Sequence, residues 1–209
     1  DAALLLVFAV AFLEQSPLDR PQTLSFIGFG LLLYLLDRLK KSPESRGPLL
    51  VALLMTVWAN VHGGFALGQA TIILYLAAEG AKFAHGSLRP IKREAYRALL
   101  VAGGAGLAAS LLNPNTYHAL GLALFTGFTG MAPGSHGLLT ITEYLSIPEA
   151  FAINRDYIRA VDLVLMAVVA AAVVSRPKKL DITEALLAAG TGYFAFRHAR
   201  YMPVFMIVA

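Results

Sequence analysis

The eight residues Trp58-Ala59-Asn60-Val61-His62-Gly63-Gly64-Phe65 interrupt an apolar run that extends from Pro48 to Phe83. As one helix, that run of about 36 residues would be about 54 Å long, nearly twice the roughly 30 Å hydrocarbon core of a bilayer. Asn60 and His62 carry polar groups that hydrocarbon cannot satisfy, and an unpartnered one there costs several kcal/mol. The Gly63-Gly64 pair frees the backbone to turn. The run therefore predicts two helices, Pro48–Ala59 and Phe65–Phe83, meeting at a polar corner.

The rest of the chain is consistent with a bilayer setting. Its mean hydropathy is +0.66, with 57% hydrophobic and 14% charged residues, values of a membrane protein. Ten prolines and eighteen glycines suit spanning helices broken at polar corners. Cysteine is absent, which excludes disulfides, a thiolate nucleophile and Cys-ligated metal. The predicted fold is all-α, a polytopic transmembrane helix bundle of about seven membrane segments plus one interfacial or re-entrant helix, forming a single domain over residues 1–209. The apolar segments are Ala2–Leu13 (the end of a helix), Thr23–Leu36, the two helices above, Ala98–Leu112, Tyr157–Val174, Asp181–Phe196 and the final run from Pro203. Thr116–Met131 is the interfacial candidate, and Ala132–Asn154 reads as the longest loop. The abrupt start at Asp1 and the apolar finish at Ala209 suggest a stretch of a longer protein.

Charge sets the orientation. Arg38, Lys40, Lys41 and Arg46 form one basic cluster, Lys82 to Arg97 a second and Arg176 to Lys179 a third. The positive-inside rule places all three in the cytoplasm. The His62 corner, Asn113-Pro114-Asn115, Thr142–Pro148 and Arg197–Arg200 then fall on the extracytoplasmic face. The net charge of +4 reads as topology and not as nucleic-acid affinity. No Walker loop, dinucleotide fingerprint, nucleophile elbow or HExxH motif occurs.

Polar groups inside membrane segments are functional by default, so Asn60 and His62 are substrate-binding candidates. Arg197, His198 and Arg200 suit an anionic ligand, because guanidinium groups grip phosphate oxygens bidentately, and Arg20 is a weaker member of that set. Headgroup anchoring by snorkelling side chains is the alternative for the arginines. Glu143 is a weak catalytic candidate. Glu79 and Lys82 read as a helix-surface pair, and Trp58, Tyr75 and Tyr193 as interface aromatics. The histidine spacing supports no metal site, and no cofactor is expected.

The strings R-P-Q (Arg20–Gln22), W-A-N-x-H-G-G-F (Trp58–Phe65), L-N-P (Leu112–Pro114), E-Y-x-x-I/P (Glu143–Pro148) and R-H-A-R-Y-x-P (Arg197–Pro203) resemble a group of bacterial multi-spanning membrane proteins. Their layout is similar to that of GT-C-type glycosyltransferases, which use polyprenyl-phosphate-linked sugars. The resemblance implies a multi-pass protein of the bacterial cytoplasmic membrane, with membrane lipid and a polyprenyl-phosphate-linked substrate as partners. It implies an outward-facing active site, with Arg197 and Arg200 on the donor phosphate and His62 and Asn60 shaping one pocket with them. The key acid of such enzymes sits in a first outer loop that would precede Asp1, so this stretch alone is expected to be inactive. The alternative is a non-catalytic membrane protein that binds or translocates a lipid-linked precursor.

Overall fold

A computed structural model describes residues 21–43, 45–85, 90–129, 146–154, 163–169, 171, 181–198 and 201–208. The chain is all-α, with no strand among these residues. Its helices are α1 (Pro21–Lys41), α2 (Gly47–Val61), α3 (Phe65–Ala84), α4 (Arg93–Ala109), α5 (Thr116–Thr129), α6 (Ile147–Asn154), α7 (Ile182–Arg197) and α8 (Met202–Val208). Residues 163–169 are also helical. The chain divides into two units between Leu124 and Phe125, within α5.

In the first unit the breakers set the helix ends. Pro21 occupies the first turn of α1, where no backbone N–H is needed. Pro48 does the same for α2. α1 runs from Ser25, beside the C-terminal end of α2, to Lys40, beside Glu79 near the end of α3. α2 and α4 make the most extensive helix contact of the unit. Their backbones approach closely because α4 is small-sided: a Cβ on Gly106 would lie 2.8 Å from Val51 and 3.3 Å from Met55. One on Gly103 would lie 3.0 Å from Ile72 of α3. The small residues of α4 thus allow close approach to two neighbours at once.

The core is apolar, with Phe29, Leu32, Leu36, Val51, Met55, Phe65, Ile72 and Leu99 buried, but polar residues are buried with it and large apolar ones are left outside. Leu24, Ile27, Leu31, Leu53, Val57, Ile73 and Val101 lie on exposed faces, while Ser25, Gln69, Thr71, Ser110 and Asn113 are buried. Glu79 and Lys82 are buried too, at 0% and 3% exposure. Both Lys82 and Lys40 donate to Oε1 of Glu79 at 2.8 Å. The expected surface pair is therefore a buried ion cluster. Trp58 and Tyr75 are likewise core residues rather than interface aromatics, and only Tyr193 of the three is exposed.

Among the described residues one helix, Gln22–Lys41, is long and apolar enough to cross a membrane, against about seven segments expected. α2 is apolar but has 15 residues, where a span takes about 20. α3 carries Gln69, Glu79 and Lys82, and α4 opens on Arg93, Glu94 and Arg97, polar residues that a reading by apolar runs alone discounts.

In the second unit α8 folds back on α7, with Phe205 against Gly192. Ala195, Met202 and Phe205 form a core that Leu165, Met166 and Val169 of the segment at 163–169 complete. α6 occupies part of the stretch expected to be loop, and Ser146 and Glu149 form its start.

Candidate functional site

The polar corner between α2 and α3 is built from its backbone upward. His62 leaves the helix in an extended conformation, φ −156° and ψ 142°, while its N–H still bonds to Trp58 O. Gly63 and Gly64 form the turn, and the carbonyls of His62, Gly63 and Gly64 accept from the first N–H groups of α3. Gly64 has φ −60° and ψ −10°, a conformation open to any residue. Space, not dihedral freedom, demands glycine here. A Cβ would lie 2.8 Å from Ser25 Cβ and 3.0 Å from His62 Nδ1, with Ser25 Oγ closer still.

Ser25 of α1 fills the room that Gly64 leaves. Its Oγ lies 2.7 Å from His62 Nδ1 and accepts a hydrogen bond from Trp58 Nε1 at 2.8 Å. The Gly64 N–H donates to the same His62 Nδ1 at 3.0 Å. Trp58 is seated by two other close approaches, since a Cβ on Gly28 or on Gly68 would meet its ring at 2.9 or 2.7 Å. The indole N–H is thereby aimed at Ser25, which sequence reading assigned to an apolar span without singling it out.

The corner is tied to a second one. Asn60 Nδ2 donates to Thr56 O at 2.8 Å and to Leu112 O at 2.9 Å. Both amide hydrogens are thus used, one of them on a carbonyl that the end of α4 leaves without a helical partner. Thr56 Oγ1 bonds Ala109 O at 3.3 Å, and Gln69 Nε2 donates to Ser110 Oγ. Asn113 closes the Leu-Asn-Pro turn, donating to Ser110 O and accepting from Asn115 N. Thr116, which opens α5, has φ +45°, a strained value for a β-branched residue. The His62 corner and the Asn113–Asn115 corner therefore share one end of the unit. The basic residues of α1 and α3 gather at the other end, around Glu79. The described groups that build the polar end, from Ser25 to Asn113, include no carboxylate, lysine or arginine.

Of the sequence candidates, Asn60 is exposed and His62 half-buried, and the structure brings them together with Ser25 and Leu112. Arg197 and His198 belong to the second unit. Arg197 ends α7 and is exposed. His198 is buried, its N–H bonded to Phe194 O and its ring edge-on to Tyr201. Arg20, Arg200 and Glu143 lie outside the described residues. A carboxylate of the second unit that the sequence candidates did not include is Glu149. Its side chain accepts from Ser146 Oγ at 2.6 Å and Ser146 N at 3.0 Å, and its own N–H donates to Ser146 Oγ at 3.3 Å, a reciprocal cap on α6. The two Ser146 bonds hold the Glu149 carboxyl below its usual range, with smaller help from the charges of Arg197 and His198. The S-x-x-E spacing was the available signal for this cap.

No group of three or more His, Asp or Glu side chains among the described residues is placed to hold a metal ion. No protein-family model matches the chain, and no curated protein or solved structure is significantly similar to it.

Proposed function

We propose that the chain is the lipid-embedded part of a multi-pass transferase of the bacterial cytoplasmic membrane. It would pass a sugar from a polyprenyl-phosphate donor to an extracytoplasmic acceptor, in the manner of GT-C enzymes. The observation that carries this reading is the Trp58–Ser25–His62–Gly64 hydrogen-bond chain, held at the polar end of a unit whose outer faces are apolar. A lipid-linked sugar phosphate needs apolar surface for its chain and hydrogen-bonding groups for its head, and this unit offers both. Exposed leucines and valines beside buried polar residues suit lipid as the solvent. The buried Glu79 cluster lets α3 carry charge inside that solvent. The catalytic base would be an acid outside the described residues.

The neutrality of the described corner favours a second reading, in which the protein binds or moves the lipid-linked precursor without turning it over. The two readings separate in proteoliposomes supplied with a polyprenyl-phosphate hexose. Glycosyl transfer that falls at least tenfold in His62→Ala supports the transferase. Saturable binding that depends on His62, with no transfer by the complete protein, supports the carrier. Transfer and binding both indifferent to His62 would remove this corner from either role.

A further inference from the structure

We infer that the polar end of the first unit recognises the sugar of the lipid-linked substrate and not its phosphate, with Asn60 Oδ1 as the acceptor for a sugar hydroxyl. The inference rests on the lipid-linked reading above and assigns one part of that ligand to one atom.

Thr56 O and Leu112 O, at 2.8 and 2.9 Å from the Asn60 amide, are carbonyl oxygens and can only accept. The group facing them is therefore Nδ2, and both its hydrogens are spent. One carbonyl belongs to α2 itself and the other lies beyond the end of α4, so the planar amide is held from two sides with Oδ1 on its far edge. Asn60 is exposed, and Oδ1 has no partner among the described residues. A fixed, accessible acceptor takes a donor.

The surroundings of Asn60 disfavour a phosphate. The Trp58 indole N–H goes to Ser25, Asn113 donates to Ser110 O, and Gln69 donates to Ser110 Oγ. The N–H groups of Phe65, Ala66 and Leu67 open α3, where they would suit an anion, but they bond to the carbonyls of His62, Gly63 and Gly64. Asn60 itself lies in the last turn of α2, the negative end of that helix's dipole. A phosphate oxygen is an acceptor and an anion, and it finds in Asn60 neither a free proton nor an opposite charge. A hydroxyl supplies the proton that Oδ1 lacks and carries no charge. Leu53 and Val57, seven and three residues before Asn60 on the same helical face, are exposed too. In lipid the amide oxygen is therefore approached across apolar surface, as a hydroxyl tethered to a polyprenyl chain would approach it.

The test is saturable binding to the full chain in nanodiscs of phosphatidylcholine, whose headgroup has no hydrogen-bond donor. Two ligands are compared: a polyprenyl-phosphate hexose, and a polyprenyl methyl phosphate, a diester of the same charge with no hydroxyl. Wild type should bind the hexose lipid about three- to tenfold more tightly, the worth of one net hydrogen bond. Asn60→Leu, which has no acceptor, should bind the two about equally. Asn60→Asp keeps an oxygen and loses both amide hydrogens, so it should retain the preference for the hexose while losing the tether to Leu112. Both variants break that tether, so a preference lost in both makes the amide merely structural and overturns the inference. A preference retained in Asn60→Leu overturns it as well. Equal affinity for the two lipids in wild type does so without any variant, and leaves the lipid-linked reading standing. Phosphatidylglycerol competing as well as the hexose lipid would assign the hydroxyl to a phospholipid headgroup and overturn the sugar assignment. Saturable binding of neither polyprenyl lipid would overturn the lipid-linked reading itself, and the inference with it.

Discussion

Gly64 shows how one residue can be correctly singled out for the wrong reason. The Gly-Gly pair signals a turn, and a turn is there, yet the dihedrals at Gly64 are ordinary and the restriction is the Ser25 side chain against it. That restriction comes from a residue far away in sequence, and no local pattern encodes it. The same holds for Ser25, whose partner His62 is 37 positions away. Asn60 and His62 were legible because two polar residues stand out in an apolar run, whereas a serine in the first turns of a helix does not. Gly64→Ala keeps the dihedrals and removes the room. It should destabilise the protein by about 1–3 kcal/mol, as overpacking does, and should lose the Ser25–His62 contact. Thermal unfolding in detergent checks the first, and the His62 ring nitrogen signals check the second. An alanine variant as stable as wild type, with unchanged signals, would show that the corner relaxes freely.

At the scale of elements, α3 was readable almost to the residue, Phe65–Phe83 expected against Phe65–Ala84 found, because a glycine pair opens it and charged residues close it. α4 was placed too late, since its first turns carry Arg93, Glu94 and Arg97 and do not look like a span. α6 was taken for loop because eight residues make no clear periodicity, although Ser146 and Glu149 stand at capping-box spacing. Two predictions belong here. Gly106→Ala should weaken the α2–α4 contact, whereas Gly104→Ala, where nothing lies within 4 Å, should be neutral or stabilising by up to about 1 kcal/mol from helix propensity. Equal effects of the two in thermal unfolding would show that α4 does not use one face for close contact. The second concerns Glu149, whose ionised form accepts both Ser146 bonds and whose pKa is lowered. The cap is therefore complete above the ordinary glutamate range near pH 4 and is lost as pH falls through the lower folded value. Ser146→Ala should return the Glu149 titration, followed by carboxyl carbon NMR, toward the ordinary value and cost about 1 kcal/mol of helix capping. An unchanged titration would mean that Ser146 does not hold the carboxylate in solution.

Over the whole molecule, charge sorting was the most readable property and its burial the least. Within the first unit the polar corners gather at one end and Lys40 and Lys82 at the other. That Glu79 draws both lysines into the interior needs α1 packed beside α3, and a pair three residues apart looks the same on a surface. The distinction has a measurable size. Glu79→Gln should destabilise by about 3–5 kcal/mol, the cost of stranding a buried charge, where an exposed pair would contribute under about 1 kcal/mol. A small loss in thermal unfolding would return the pair to the surface. Orientation is tested more directly, because the chain has no cysteine and any introduced thiol reports alone. Asn115 lies at the polar end and Lys41 closes α1 at the basic end, both exposed and both in the same unit. In a membrane-spanning unit, a membrane-impermeant maleimide should label Asn115→Cys in intact cells and Lys41→Cys only after permeabilisation. A unit lying wholly on one side of the membrane would show the same accessibility at both positions, and the opposite pattern would invert the topology and place the His62 corner in the cytoplasm. The three outcomes separate because α1, with 21 residues, is about 32 Å long, enough to hold the two ends on opposite sides of a hydrocarbon core of about 30 Å.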